Sequence, residues 1–71
     1  MRFFRFKEKN NNMPLYQVTD TSINQSYTSM IHIRSDIIAG VRYETFRSFY
    51  TDKMYTFRRS EIKIQISENV S

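Results

Sequence analysis

The 71-residue sequence has no cysteine and no tryptophan, and only one glycine (Gly40), one proline (Pro14), one alanine (Ala39), one leucine (Leu15) and one histidine (His32). Without cysteine there can be no disulfide and no thiolate-held zinc or iron–sulfur centre. The acids Glu8, Asp20, Asp36, Glu44, Asp52, Glu61 and Glu68 are scattered, with no pair at ligand spacing around the lone imidazole, so neither a metal nor a cofactor is expected. A chain with one glycine has no glycine-rich loop to bring backbone amides against a phosphate. It also lacks a serine-elbow or HExxH motif. A Ser/His/Asp set can be drawn from His32 and Asp36, but other serine–acid combinations fit equally well. The simpler reading of His32 is an exposed strand residue, and the chain reads as non-catalytic.

Long apolar runs are also missing. No stretch approaches the ~20 residues of a membrane span, and no membrane partner is expected. The opening Met1–Lys9 interleaves bases with its phenylalanines and has no apolar run or small-residue cleavage site after it, which is not the pattern of a secretory signal. The expected location is cytoplasmic. On that reading the glycosylation-type triplets Asn24-Gln25-Ser26 and Asn69-Val70-Ser71 are coincidental.

What the sequence does contain is aromatic and β-branched: six Phe, five Tyr and four Met beside many Ile. Such side chains suit a pleated, half-buried surface, whereas scarcity of Ala and Leu makes weak helices. A single small domain over residues 1–71 follows from length. Chains this short bury only roughly 60% of their unfolded surface, so a homodimer is expected as a way of covering more.

The clearest element is Glu61–Ser67, where Ile62, Ile64 and Ile66 alternate with polar residues at period two. Met54–Arg58 also reads as a strand, with Tyr55 and Phe57 on one face, and Arg59-Ser60 predicts a hairpin over 54–67. In residues 27–34 the alternation predicts Ile31 and Ile33 inward, with Met30, His32 and Arg34 outward. The expected core is therefore Ile31, Ile33, Tyr55, Phe57, Ile62 and Ile64. Ser35-Asp36 reads as a turn or helix cap and Gly40 as a bulge or helix end. Residues 41–50 read as a bent strand slipping near Thr45 and hairpinned to 54–58 through 51–53; a short helix within 35–50 is the alternative. At the front, residues 1–8 form a basic/aromatic strand with Phe4 and Phe6 inward and Phe3 outward. Residues 9–26 are mostly loop around a short extended piece from Pro14 to Val18, and 68–71 are a tail. The fold class is mainly β: a small antiparallel barrel or curved sheet of five to six short strands, with α+β as the alternative. In general outline the phasing of residues 29–67 resembles the SH3-like small barrels; their recognition residues are not visible.

The net charge is +4, with five bases and two acids in residues 1–34 and six bases and five acids in the rest. Bases interleave with aromatics three times, in Arg2–Lys7, Arg42–Arg47 and Tyr55–Arg59. Cations along a backbone and rings under the bases are how single-stranded nucleic acid is held, and Arg matches phosphate bidentately. The candidate binding residues are Arg2, Phe3, Arg5, Lys7, Arg42, Arg47, Tyr55, Arg58 and Arg59. The plainer account of most of these aromatics is that they fill the core while the bases form its solvated face. Two partners fit: nucleic acid, or a protein occluded by an accessory or inhibitor protein of the phage or mobile-element kind.

Overall fold

The structure, a computed structural model, describes residues 13–70 and is mainly β: five antiparallel strands in one curved sheet that does not close. The elements are β1 (Met13–Asp20), β2 (Gln25–Ile38), β3 (Val41–Ser48), β4 (Met54–Arg58), a 3₁₀ turn (Arg59–Glu61) and β5 (Ile62–Val70). The sheet order is β4-β3-β2-β1-β5. Four strands thus meander by hairpins, and the fifth returns to the first.

That order corrects the hairpin expected over 54–67. β4 and β5 lie at opposite ends of the ladder, and β5 pairs with β1 instead, Val18 facing Ile64 and Asp20 facing Ile62. Only residues 59–61 join them, so the sheet must curl to bring its two edges within reach. Thr21 holds the turn in place, its backbone N and Oγ1 both donating to the Glu61 carbonyl at 2.8 Å. The segment expected as mostly loop contributes β1, paired on both sides. β5 likewise runs on to Val70, where a tail was expected. Periodicity reports which face a residue takes but not which strand sits beside it, and these differences follow from that limit.

In the core Val18, Met30, Phe46, Phe57 and Ile62 pack together with Tyr16, Tyr27, Tyr55 and Ile64 around them. Phe57, Ile62 and Ile64 are where the alternation put them. Ile33 is not: it is 41% exposed while Met30 is buried, so the phase expected for residues 30–33 is inverted. The irregularity ahead of Met30 is responsible. Ser29 takes a left-handed φ of 56° beside a register break between Tyr16 and Val18 in β1. The β2–β3 ladder then slips between His32 and Arg34, leaving Ile33 without a partner. Such an extra residue reverses the facing of everything beyond it. The slip expected near Thr45 does lie opposite Thr45 and Phe46, but the extra residue belongs to β2.

β2 continues through Ser35-Asp36, where a turn was expected, and residues 35–50 contain no helix. The reversal comes at Ala39-Gly40, both with positive φ (52° and 80°) between the paired Ile38 and Val41. This is the two-residue hairpin turn whose backbone matches strand twist. β3 pairs with β4 as expected, Thr45 facing Thr56 with their hydroxyls 3.0 Å apart.

Candidate functional site: an arginine groove beside a buried carboxylate

Because Ile33 shifts the register, Ser35 faces Glu44 across the β2–β3 ladder while His32 faces Phe46. Arg42, Glu44 and Phe46 occupy alternate positions and so share a face of β3. Glu44 is the centre of the arrangement, its side chain only 3% exposed. His32 Nε2 lies 2.8 Å from its Oε1, Ser35 Oγ donates to the same oxygen, and Arg42 Nε donates to Oε2 at 2.6 Å. Burial raises the carboxyl's proton affinity; the Ser35, His32 and Arg42 hydrogen bonds and the Arg42 charge outweigh it and hold the pKa below its ordinary 4.5.

The Ser35–His32–Glu44 cluster is not arranged as a catalytic relay. Ser35 Oγ and Glu44 both approach His32 through the same nitrogen, Nε2, at 3.4 and 2.8 Å. A triad needs the acid on one ring nitrogen and the nucleophile on the other. Asp36, the acid paired with His32 in the sequence-level set, instead accepts from Arg34 Nε at 2.9 Å.

Over this cluster lies a cavity of about 190 Å³ lined by Tyr16, His32, Ser35, Arg42, Glu44, Phe46, Arg59 and Ile64. Its residues come from β1, β2, β3, the 3₁₀ turn and β5, which only the curl of the sheet brings together. Phe46 stands edge-on to Tyr16 with centroids 6.3 Å apart and is tilted against His32 at 5.1 Å, so three rings form one contiguous cluster. Beside it is a groove of about 430 Å³ lined by Gly40, Val41, Arg42, Arg58, Arg59 and Ser60. Arg42 and Arg59 belong to both.

Of the residues singled out from sequence, Arg42, Arg58 and Arg59 are thus brought to one groove. Arg47 is not among its lining residues; it pairs with Asp52 in the β3–β4 turn at 2.5 Å. Tyr55 packs on Tyr27 at 5.0 Å and stacks parallel to Phe57, which makes it part of the aromatic core. Arg2, Phe3, Arg5 and Lys7, with the inward Phe4 and Phe6, lie outside the described residues. Glu44, Ser35, Tyr16 and His32 were not recognised as site residues from sequence. The one available signal was the Arg42–Glu44 spacing, which puts a base and an acid on the same strand face. Among the described residues no three His, Asp or Glu side chains are grouped to hold a metal ion, and no helix is long and apolar enough to cross a membrane. No protein-family model matches the chain, and neither does any curated protein or solved structure.

Proposed function

We propose that the protein is a binding module that contacts single-stranded nucleic acid along the Arg42–Arg58–Arg59 groove. The observation carrying this reading is the convergence of three arginines from three elements on one groove, beside a cavity walled by aromatic rings. Arg42 is engaged by Glu44, and Arg59 Nη1 donates to the Ile62 carbonyl at 3.1 Å. Both guanidiniums are therefore held in position, and each keeps further N–H donors for a phosphate. Contacts of this kind position a strand without reading its sequence.

The test is fluorescence anisotropy with labelled single-stranded RNA and DNA oligomers across a salt series. Affinity is expected to fall with salt at a log–log slope of about −0.7 per phosphate neutralised. Replacing Arg58 and Arg59 together by Gln should make that slope shallower by about 1.4 by the same rule. Replacing Arg2, Arg5 and Lys7 would report separately on the N-terminal bases. Absence of binding at low salt, or binding indifferent to salt, sinks the reading.

One observation favours a second reading, a protein partner or a second copy of the chain. Ile37 and Ile38, near the tip of the β2–β3 hairpin, are 74% and 61% exposed; as successive strand residues they lie on its two faces, and each offers an apolar side chain to a partner. Sedimentation equilibrium returning only the monomer mass at micromolar concentration would remove the homodimer form of it.

A further inference from the structure

We infer that the cavity over Glu44 is a base pocket: it takes one planar heterocycle of a nucleotide whose phosphate lies on the adjoining arginine groove. This deepens the nucleic-acid reading and rests on it.

Size is the first argument. At about 190 Å³ the cavity is well above the roughly 10–15 Å³ that one water needs. It is below the roughly 300–1,000 Å³ of sites for drug-sized ligands. A single ring system with little attached to it fits between those limits. The lining is the second argument. Tyr16 and His32 line the cavity with Phe46, itself 1% exposed, packed against both, and Ile64 adds an apolar surface, which is the environment a π-face prefers over water.

Hydrogen-bonding capacity is the third. A carboxylate offers about four lone-pair sites, and Glu44 uses three: two on Oε1 for His32 and Ser35, one on Oε2 for Arg42. The remaining site on Oε2 suits one ring or amino N–H of a base. The three existing donors keep this carboxyl ionised, and so an acceptor, without a ligand. The shared walls are the last argument. Arg42 and Arg59 line both the cavity and the groove, so a ring in one and a phosphate in the other sit on either side of the same two side chains. A nucleotide likewise carries a ring and a phosphate in one molecule.

The chain's single histidine lines the cavity, so its ring proton resonances report on occupancy without labelling ambiguity. The probes are the four ribonucleoside 5′-monophosphates, with ribose 5-phosphate and inorganic phosphate as ringless controls. At least one monophosphate should shift the His32 ring protons and the Ile64 methyls and bind about ten-fold or more tighter than ribose 5-phosphate, the contribution expected of one stacked base. Ile64→Phe, which fills the cavity from β5, should remove that advantage while leaving the salt slope for oligomers unchanged. Ser35→Val tests the same space from β2 if the Ile64 variant does not fold. Monophosphates no tighter than ribose 5-phosphate, or leaving His32 unmoved while salt-dependent oligomer binding persists, would overturn the pocket and leave the groove standing. Failure of oligomers and mononucleotides alike would overturn both.

Discussion

The two ends of β3 carry the same pair of residue types, an arginine and an acid, and use them differently. At one end Arg42 meets Glu44, whose side chain is 3% exposed and receives two further hydrogen bonds. At the other, Arg47 meets Asp52 in a turn, with Asp52 78% exposed. An ion pair in water exchanges hydration for Coulomb attraction at little profit, whereas a buried acid cannot recover its lost hydration once a donor is removed. The first pair therefore constrains the strand and the cavity over it, and the second closes a loop.

The comparison would fail most visibly at Glu44. Glu44→Ala should destabilise by about 2–3 kcal/mol, the scale of hydrogen bonds to a charged group, since it orphans Arg42, Ser35 and His32 together. That is a large part of the ~4–10 kcal/mol a 71-residue domain holds, and urea denaturation measures it. A cost below that of Asp52→Asn would overturn the distinction between the two ends.

Acid titration sharpens the same point. Because folding lowers the Glu44 pKa below 4.5, its contribution is complete above that unfolded value and drains away as pH falls through the folded one. Glu44→Gln should flatten this acid limb of the stability curve specifically. An unchanged limb would mean that another carboxylate governs it.

A smaller effect of opposite sign is expected just before Arg42, where Ala39 occupies a left-handed φ of 52°. A Cβ makes that region cost about 1–2 kcal/mol, and Asn offsets part of this through local hydrogen bonds of its short amide, which Ala cannot make. Ala39→Asn should therefore stabilise by about 0.5–1 kcal/mol, within the usual yield of relieving such a position. Thermal denaturation showing a lower Tm would contradict the turn geometry. The smallest effect belongs to the exposed pair: Asp52→Asn, which removes the charge but keeps a residue tolerant of the left-handed φ of 62° found there, should cost about 0–1 kcal/mol and lose most of that in added salt. A double-mutant cycle with Arg47→Gln isolates it.

How much of this was legible depended on whether a local pattern or a cross-strand register carried it. The Ile62–Ile64 alternation and the β3–β4 hairpin were readable because period two and a polar turn are local signals. Ile33 defeated the same rule, since a bulge reverses facing without any glycine to announce it. The three groove arginines were legible from their interleaving with aromatics, although Arg47, in the same pattern, went to a turn. Ser35, His32 and Glu44 were not, because what unites them is pairing between β2 and β3 after the slip. Tyr55 was legible as core, and its candidacy for stacking is answered by the rings it already meets.

The return of β5 to β1 also has a kinetic meaning. β1 to β4 join by neighbouring hairpins, but pairing Val18 with Ile64 closes a loop of most of the chain, and such closures are slow because their entropy cost precedes their reward. The meander should assemble first, and β5 should dock last. Ile64→Val should accordingly speed unfolding far more than it slows refolding in stopped-flow measurements, as expected of a contact absent from the transition state. Equal effects on both rates would put β5 in the nucleus. Since Ile64 completes the cavity wall, the base pocket would then be the last part of the protein to come into existence and the first to be lost.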